Sequence, residues 1–237
     1  MKIISSYLLV FYSVCVTQTY AQPSPEIKPS PKFPNRVISQ FEISAGPMLS
    51  YPIRPKDPGV NRQIKVGPIV MISLVHSFTE KFSLALSASF EQKGSKSVFP
   101  LFRTDVLPNR EEKLIQTVTL SYVSLAVPPR YSPIPQVPIY VSAGPYLSYL
   151  LKEKDLSESF YEGKLVGKSG GTPDPPGYSN FDYGITACVG YKLFINQSIS
   201  GIFELRYNRG LTTINKSYIT NLTNNSFSFL VGIPIAR

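Results

Sequence analysis

The sequence predicts an all-β fold: an eight-stranded antiparallel up-and-down transmembrane β-barrel. Apolar side chains recur at every second residue along most of the chain, which is the period of a strand with two different faces. The other face carries mainly small residues, which suit a narrow barrel interior. The connections between the predicted strands alternate between long and short, so the two ends of the barrel differ.

The composition excludes several other classes of protein. The chain has 237 residues, of which 43% are hydrophobic and 16% charged, so it is too apolar to be disordered. Past residue 21 there is no apolar run of about 18 residues, the length that a transmembrane helix needs. Two cysteines exclude a disulfide scaffold. The single histidine, His76, argues against histidine-based metal or triad chemistry.

Residues 1–21 predict a secretory signal peptide. Lys2 provides the positive start, an apolar stretch follows, and Ala21 closes a small-x-small cleavage site. The alternatives are a buried N-terminal element and a lipoprotein signal at Cys15. Removal of Lys2 would change the net charge from +9 to +8. Because an exported protein does not meet nucleic acid, this basic charge favours anionic lipid headgroups or surface polysaccharide.

Residues 22–36 are rich in proline, with five prolines in QPSPEIKPSPKFPNR. Proline fixes φ and lacks an N–H, so the stretch is predicted to be an extended periplasmic linker. A short recognition segment is the alternative. The barrel domain is then expected over residues 37–237.

Eight strands are predicted within this domain. The clearest alternation places Phe82, Leu84 and Leu86 on one face and serine or alanine on the other. Alternation is less regular at 70–74 and 122–127, where we expect a bulge or a change of phase. The predicted strands are 37–51, 63–77, 82–93, 114–129, 137–151, 181–193, 199–209 and 226–235.

The predicted connections distinguish the two ends of the barrel. Outer-membrane barrels have short periplasmic turns and longer extracellular loops. The segments 94–113 and 152–178 are long enough to carry binding specificity. The short connections are 78–81, 130–136 and 194–198, and the long ones are 52–62, 94–113, 152–178 and 210–225.

An eight-stranded barrel can be a soluble lipocalin-like cup or a membrane barrel. Serine, glycine, alanine and threonine dominate the polar phase, whereas a water-exposed face would carry more lysine, glutamate and glutamine. The bulky phase suits lipid, and a closed barrel satisfies the backbone hydrogen bonds that lipid cannot. Aromatic residues such as Tyr51, Phe82, Tyr149 and Phe181 fall near predicted strand ends, where they could form interfacial girdles. The soluble lipid binder stays open as an alternative.

Charges on the inward phase are balanced, with four acidic and four basic residues. Side chains just fill an eight-stranded interior, and unpaired charges there are costly. We therefore predict a paired structural network that plugs the lumen, with Glu204 and Arg206 near its centre. A proton or ion path is the alternative interpretation. The predicted network consists of Glu42, Lys65, Glu91, Lys93, Asp182, Lys192, Glu204 and Arg206.

Three short motifs carry a family resemblance. The segment SAGPMLSY at 44–51 is repeated as SAGPYLSY at 142–149, on strands one and five, which suggests two four-strand halves. With ELRYNRGL at 204–211 and FLVGIPI at 229–235, the chain resembles the PorT-like outer-membrane β-barrel proteins of Bacteroidota over 37–237. The resemblance implies an eight-stranded barrel in the outer membrane with no cofactor. Strand four and the C-terminal Arg237 depart from the family pattern.

No catalytic or metal-binding motif is found in the sequence. Gly170 and Gly171 are turn formers, and the acidic residues of 152–168 are interspersed with lysines. The sequence therefore predicts a non-enzymatic structural or surface-binding protein that acts through its long loops. Its expected partners are outer-membrane lipid, envelope proteins or surface polysaccharide. The alternatives are a component of a secretion or envelope assembly complex and a small-solute pore, which the lumen composition disfavours.

Overall fold

The computed structural model describes residues 38–53, 61–101, 112–134, 137–173, 177–194, 200–215 and 222–236. The predicted signal peptide and proline-rich linker lie outside these residues. No helix among the described residues has the length and apolarity needed to cross a membrane. The strands in this part of the chain are β1 (Ile38–Ile53), β2 (Asn61–Gln63), β3 (Lys65–Ser77), β4 (Phe82–Leu101), β5 (Glu112–Ala126), β6 (Pro129–Tyr131), β7 (Ile139–Tyr161), β8 (Lys164–Gly171), β9 (Phe181–Phe194), β10 (Ser200–Gly210) and β11 (Thr223–Ala236).

Eight of these strands close into an antiparallel ring, as the sequence predicts. Its order is β1, β3, β4, β5, β7, β9, β10 and β11, and β11 pairs back with β1. The short strand β6 continues the line of β5 and pairs with β4 and β7. We call the end with connections 78–81 and 132–138 the short-turn end, and the opposite end the long-connection end.

Two segments that were expected to be loops are largely strand. Pairing between β4 and β5 continues to Leu101 and Glu112, and β7 runs on to Tyr161 before it turns into β8. The segments 94–113 and 152–178 therefore contribute to a sheet that extends past the ring at the long-connection end. We call it the sheet extension; it comprises β2, 94–101, 112–121, 151–161 and β8. Both faces of the sheet extension are largely polar, so the sequence lacks the apolar alternation that would predict strands there.

The expected phase change in β3 is wrong. Burial alternates without interruption along β3, and its register with β1 is continuous. Both faces are apolar here because the inward residues Ile69 and Met71 pack against Met48 and Leu230 inside the ring. The outward face carries Val70 and Ile72, which are about half exposed.

The irregularity expected in 122–127 lies on the partner strand instead. Ser121 pairs with Lys152 but Tyr122 pairs with Leu150, so β7 contains one extra residue, Leu151. The alternation of β5 itself is regular, and the inward phase continues past the break between β5 and β6 to the buried Arg130.

The repeated segment occupies equivalent positions in the ring. Its two copies lie on β1 and β7, the first and fifth ring strands. At each copy, the pairing with the preceding ring strand is interrupted around Gly–Pro. A side chain at Gly46 would collide with the Phe229 carbonyl, and one at Gly144 would collide with Pro128. Proline removes an N–H from the ladder, and glycine permits the close approach.

Candidate functional site

The outer surface of the ring is apolar. Large hydrophobic side chains of every ring strand are exposed there, among them Ile72, Leu86 and Leu147. Aromatic rings pair at both ends: Phe82 with Tyr131 at the short-turn end, 4.9 Å between ring centroids, and Tyr149 with Phe181 at the other, 5.3 Å. A soluble lipid-binding cup would need the bulky phase inside, so this arrangement opposes the lipocalin-like alternative.

A cluster of charged residues lies inside the ring toward the short-turn end. We call Glu42, Arg130, Tyr140, Glu204 and Arg206 the arginine cluster. The Arg130 Nη1 lies 2.8 Å from Glu42 Oε2, and its Nη2 lies 3.8 Å from Glu204 Oε2. Arg206 donates to Glu204 Oε1 from both Nε and Nη2 at 2.8 Å. The Tyr140 hydroxyl donates to Glu204 Oε2 at 2.8 Å, and its ring lies 4.6 Å from the Arg130 guanidinium.

A second interior cluster surrounds Lys93 and lies closer to the long-connection end. We call Glu91, Lys93, Tyr146, Asp182 and Asn224 the lysine cluster. The Lys93 ammonium lies 3.0 Å from Glu91 Oε2 and 3.7 Å from Asp182 Oδ2. It also lies 4.9 Å from the centre of the Tyr146 ring. The Asn224 amide donates to Asp182 Oδ2 at 3.0 Å. The buried ammonium thus faces two carboxylates and an aromatic ring, which favour a cation.

The structure brings most of the eight predicted charges into these clusters. Glu42, Glu204 and Arg206 lie in the arginine cluster, and Glu91, Lys93 and Asp182 in the lysine cluster. All six are buried. Lys192 lies at the margin, 31% exposed, with its ammonium 3.4 Å from Glu42 Oε1. Lys65 is half-buried near the long-connection end, where its carbonyl accepts from Ser50 at 3.3 Å, and it belongs to neither cluster.

The sequence interpretation missed Arg130 and the interior tyrosines. Arg130 fell within the predicted connection 130–136, although it continues the inward phase of Ser124 and Ala126. Tyr140 and Tyr146 were missed because bulky residues were expected to face outward. Each tyrosine pairs across the strands with a glycine, Gly190 or Gly184. A side chain at Gly190 would overlap the Tyr140 ring, so the glycine provides the room that this ring occupies.

An apolar cap lies over the lysine cluster at the long-connection end. Ile214 and Leu222, from the segments after β10, pack against Leu120, Tyr122 and Leu150. Backbone hydrogen bonds hold the cap: Ser179 N–H donates to the Ile214 carbonyl at 2.6 Å, and Ile214 N–H to the Leu222 carbonyl at 2.8 Å. Among the described residues, apolar side chains thus lie next to the lysine cluster on the side of the long-connection end.

His76, the single histidine of the sequence, lies apart from both clusters. His76 lies at the short-turn end, where its Nδ1 is 2.9 Å from the Ser39 hydroxyl and its ring packs edge-on against Phe78. Among the described residues, no group of three histidine, cysteine, aspartate or glutamate side chains could hold a metal ion.

Residues 36–216 match the family described as outer membrane protein beta-barrel domain. The chain belongs to this family. It is an outer-membrane β-barrel protein, and its location is the outer membrane. No curated protein sequence matches the chain.

Several solved structures resemble this outer-membrane barrel. OprG from Pseudomonas aeruginosa has a TM-score of 0.40 at 11% identity, covering 86% of this chain and 99% of its own. Ail, the attachment invasion locus protein of Yersinia pestis, has a TM-score of 0.38 at 11% identity, with 83% and 99% covered. Neisserial surface protein A has a TM-score of 0.35 at 13% identity, with 81% and 96% covered.

Proposed function

We propose that this protein is a non-enzymatic outer-membrane barrel that is plugged by its own side chains and contacts its surroundings through the sheet extension. The observation that carries the proposal is the difference between the two ends. At one end, two described connections are short; at the other, β4, β5 and β7 continue past the ring and β8 is added. Segments that extend beyond a rigid scaffold commonly carry binding, so the sheet extension is the expected contact surface.

The plugged interior is supported by contacts that cross the ring. Arg130 of β6 reaches Glu42 of β1 and Glu204 of β10, and Lys93 of β4 reaches Asp182 of β9. Planar-bilayer recordings test this part of the proposal. We expect no stable channel conductance from the refolded protein, and conductance of porin size would overturn the plugged interior.

The orientation follows from the rule that long connections of outer-membrane barrels face the cell exterior. In a Cys188→Ser background, Glu162→Cys lies in the turn between β7 and β8, and Glu80→Cys lies in the turn after β3. We expect a membrane-impermeant maleimide to label position 162 on intact cells and position 80 only after lysis. The reverse pattern would refute the orientation.

Trimming the extension tests the contact surface directly. Lys96 and Thr117 are cross-strand partners, as are Asp155 and Gly171, so each pair can be joined by an Asn-Gly turn that keeps the register. We expect the trimmed barrel to keep its mobility shift between boiled and unboiled gel samples and to lose envelope components that co-purify with the full chain. If the trimmed and full chains retain the same components equally, the extension is not the contact surface.

A second candidate function is a role in a secretion or envelope assembly complex of the PorT-like type. It is favoured by the repeated SAGP segment and by the proline-rich residues 22–36, which would lie on the periplasmic side after cleavage following Ala21. Deleting 22–36 would then abolish co-purification of envelope proteins while surface contacts persist. A mature N-terminus at Gln22 would support the export route.

A further inference from the structure

The extra residue in β7 sorts charges between the two faces of the sheet extension. Up to Leu150, the even-numbered side chains of β7 are buried in the ring. Leu151 and Lys152 are both exposed, after which Glu153 is buried and Lys154 exposed. With unbroken alternation, both lysines would project inward and Glu153 outward. The bulge therefore directs two lysines to the outer face, and re-aiming side chains is a recognised role of bulges.

The residues beside these lysines complete a polar, basic surface. Ser121 pairs with Lys152, and Thr119 pairs with Lys154 on the adjacent strand. On the next strand, Lys96 pairs with Thr117 and so shares the same face. We call Lys96, Thr119, Ser121, Lys152 and Lys154 the lysine face.

The acidic residues Glu153 and Glu158 of β7 do not offset the charge of the lysine face. The inward Glu153 accepts hydrogen bonds from the backbone N–H groups of Gly177 and Tyr178 at 3.0 and 3.3 Å. Glu158 lies on the outer side but is engaged by Lys168 at 3.2 Å. The lysine face thus keeps a net positive charge directed away from the barrel interior.

The lysine face lies at the depth of lipid headgroups. Tyr149 pairs with Val123 and Lys152 with Ser121, so the two side chains lie two steps of the ladder apart, roughly 7 Å along the strand. Tyr149 forms the aromatic pair with Phe181. Aromatic girdles mark the membrane interface. Directly below the lysines, Leu147 and Leu151 are exposed on the apolar outer surface.

We infer that the lysine face binds the phosphate groups of an anionic lipid in the leaflet at the long-connection end. Lys152 and Lys154 supply the positive charge, and the Thr119 and Ser121 hydroxyls donate hydrogen bonds. The occupant is a lipid because the basic face continues into apolar surface at Leu151: a ligand that fits both parts carries acyl chains below an anionic headgroup. This inference deepens the proposed function, and it rests on the extension being the contact surface.

Native mass spectrometry of the full chain in detergent, titrated with diphosphoryl lipid A or phosphatidylcholine, tests the inference. We expect diphosphoryl lipid A to bind more tightly. Lys152→Gln with Lys154→Gln should weaken that binding about 30-fold, or about fivefold for each lysine near a charged membrane surface. The control, Lys81→Gln with Lys164→Gln, removes the same charge away from the face and should change the affinity less than about twofold. Equal weakening by both pairs, or no preference for the phosphorylated lipid, would overturn the inference.

Two further samples separate the inference from the proposed function. The trimmed barrel retains Lys152, Lys154, Thr119 and Ser121, so it should bind lipid A like the full chain even if it loses other envelope components. Loss of lipid A binding on trimming would refute the lysine face as the site. Inorganic phosphate should not displace bound lipid A; displacement at matched phosphate concentration would mean that the face binds free phosphate rather than a lipid.

Discussion

Replacing Gly190 with alanine should destabilise the barrel far more than a glycine-to-alanine change usually does. Gly190 pairs with Tyr140 across β9 and β7, and a methyl group there would overlap the Tyr140 ring. The ring cannot move freely, because its hydroxyl donates to Glu204 at 2.8 Å and its face packs 4.6 Å from the Arg130 guanidinium.

The expected cost has two parts. Overpacking a tight interior costs about 1–3 kcal/mol. Displacing the tyrosine also breaks a hydrogen bond to a charged carboxylate, worth about 1.5–3 kcal/mol. We therefore expect Gly190→Ala to lower the free energy of unfolding by about 4 kcal/mol. Gly201→Ala is the control, because its methyl group would meet other atoms only at 4.0 Å, and it should change stability by less than about 1 kcal/mol.

Urea unfolding in lipid vesicles provides the measurement. The chain has no tryptophan, so unfolding is followed by circular dichroism and by the gel mobility of boiled and unboiled samples. In a Tyr140→Ala background the space is vacant, so Gly190→Ala should lower the free energy of unfolding by less than about 1 kcal/mol. The difference between the costs in the two backgrounds is a coupling energy of about 3 kcal/mol. The reasoning fails if the two substitutions are additive, because the tyrosine would then not occupy the space above the glycine.

Three other perturbations have defined outcomes. Arg130→Met removes the 2.8 Å partner of Glu42 and leaves it with Lys192 at 3.4 Å, so it should cost about 3 kcal/mol in urea unfolding, the lower end of the range for a broken buried pair. Adding Glu42→Gln should recover more than half of this loss, and no recovery would contradict the pairing. Ile214→Asp places a charge in the apolar cap, so hydrogen exchange should accelerate at 177–180 while the gel mobility shift persists. Burial raises the pKa of Asp155 above its ordinary value, so the protonated form stabilises the extension at acidic pH and this contribution is lost as pH rises through the raised pKa. After correction for intrinsic rates, hydrogen exchange in 164–171 should therefore be faster at neutral pH in the native chain, and Asp155→Asn should remove the difference.

The eight ring strands could be predicted because one buried and one lipid-facing surface impose a period of two on the sequence. The alternation of apolar residues disappears where both faces of a strand are exposed to water. The ends of β4 and β7 mix polar and apolar residues on both faces, so the sequence gives no regular alternation that would separate their continuation to Leu101 and Tyr161 from a loop. In β3 both faces carry apolar residues. This pattern resembles a change of phase in the sequence, although the strand itself is regular.

Interior charges could be predicted from phase alone, but their partners could not. Arg130 was missed because the predicted fourth strand ends at residue 129, whereas the inward phase continues to Arg130. The position of Tyr140 depends on which residue faces it on β9, and cross-strand register is a long-range property. A one-residue error in register reverses every face, and the bulge at Leu151 shows how a single residue redirects the charges that follow it.

The two interruptions at Gly46 and Gly144 divide the ring into two half shells, one running from β1 to β6 and the other from β7 to β11. At each interruption a few cross-strand pairs are missing, so the backbone ladder contributes fewer hydrogen bonds at these two boundaries. The ion pairs Arg130–Glu204 and Lys93–Asp182, at 3.8 and 3.7 Å, join one half shell to the other. The buried charges therefore connect the two half shells through the interior, in addition to the backbone pairs at the two boundaries.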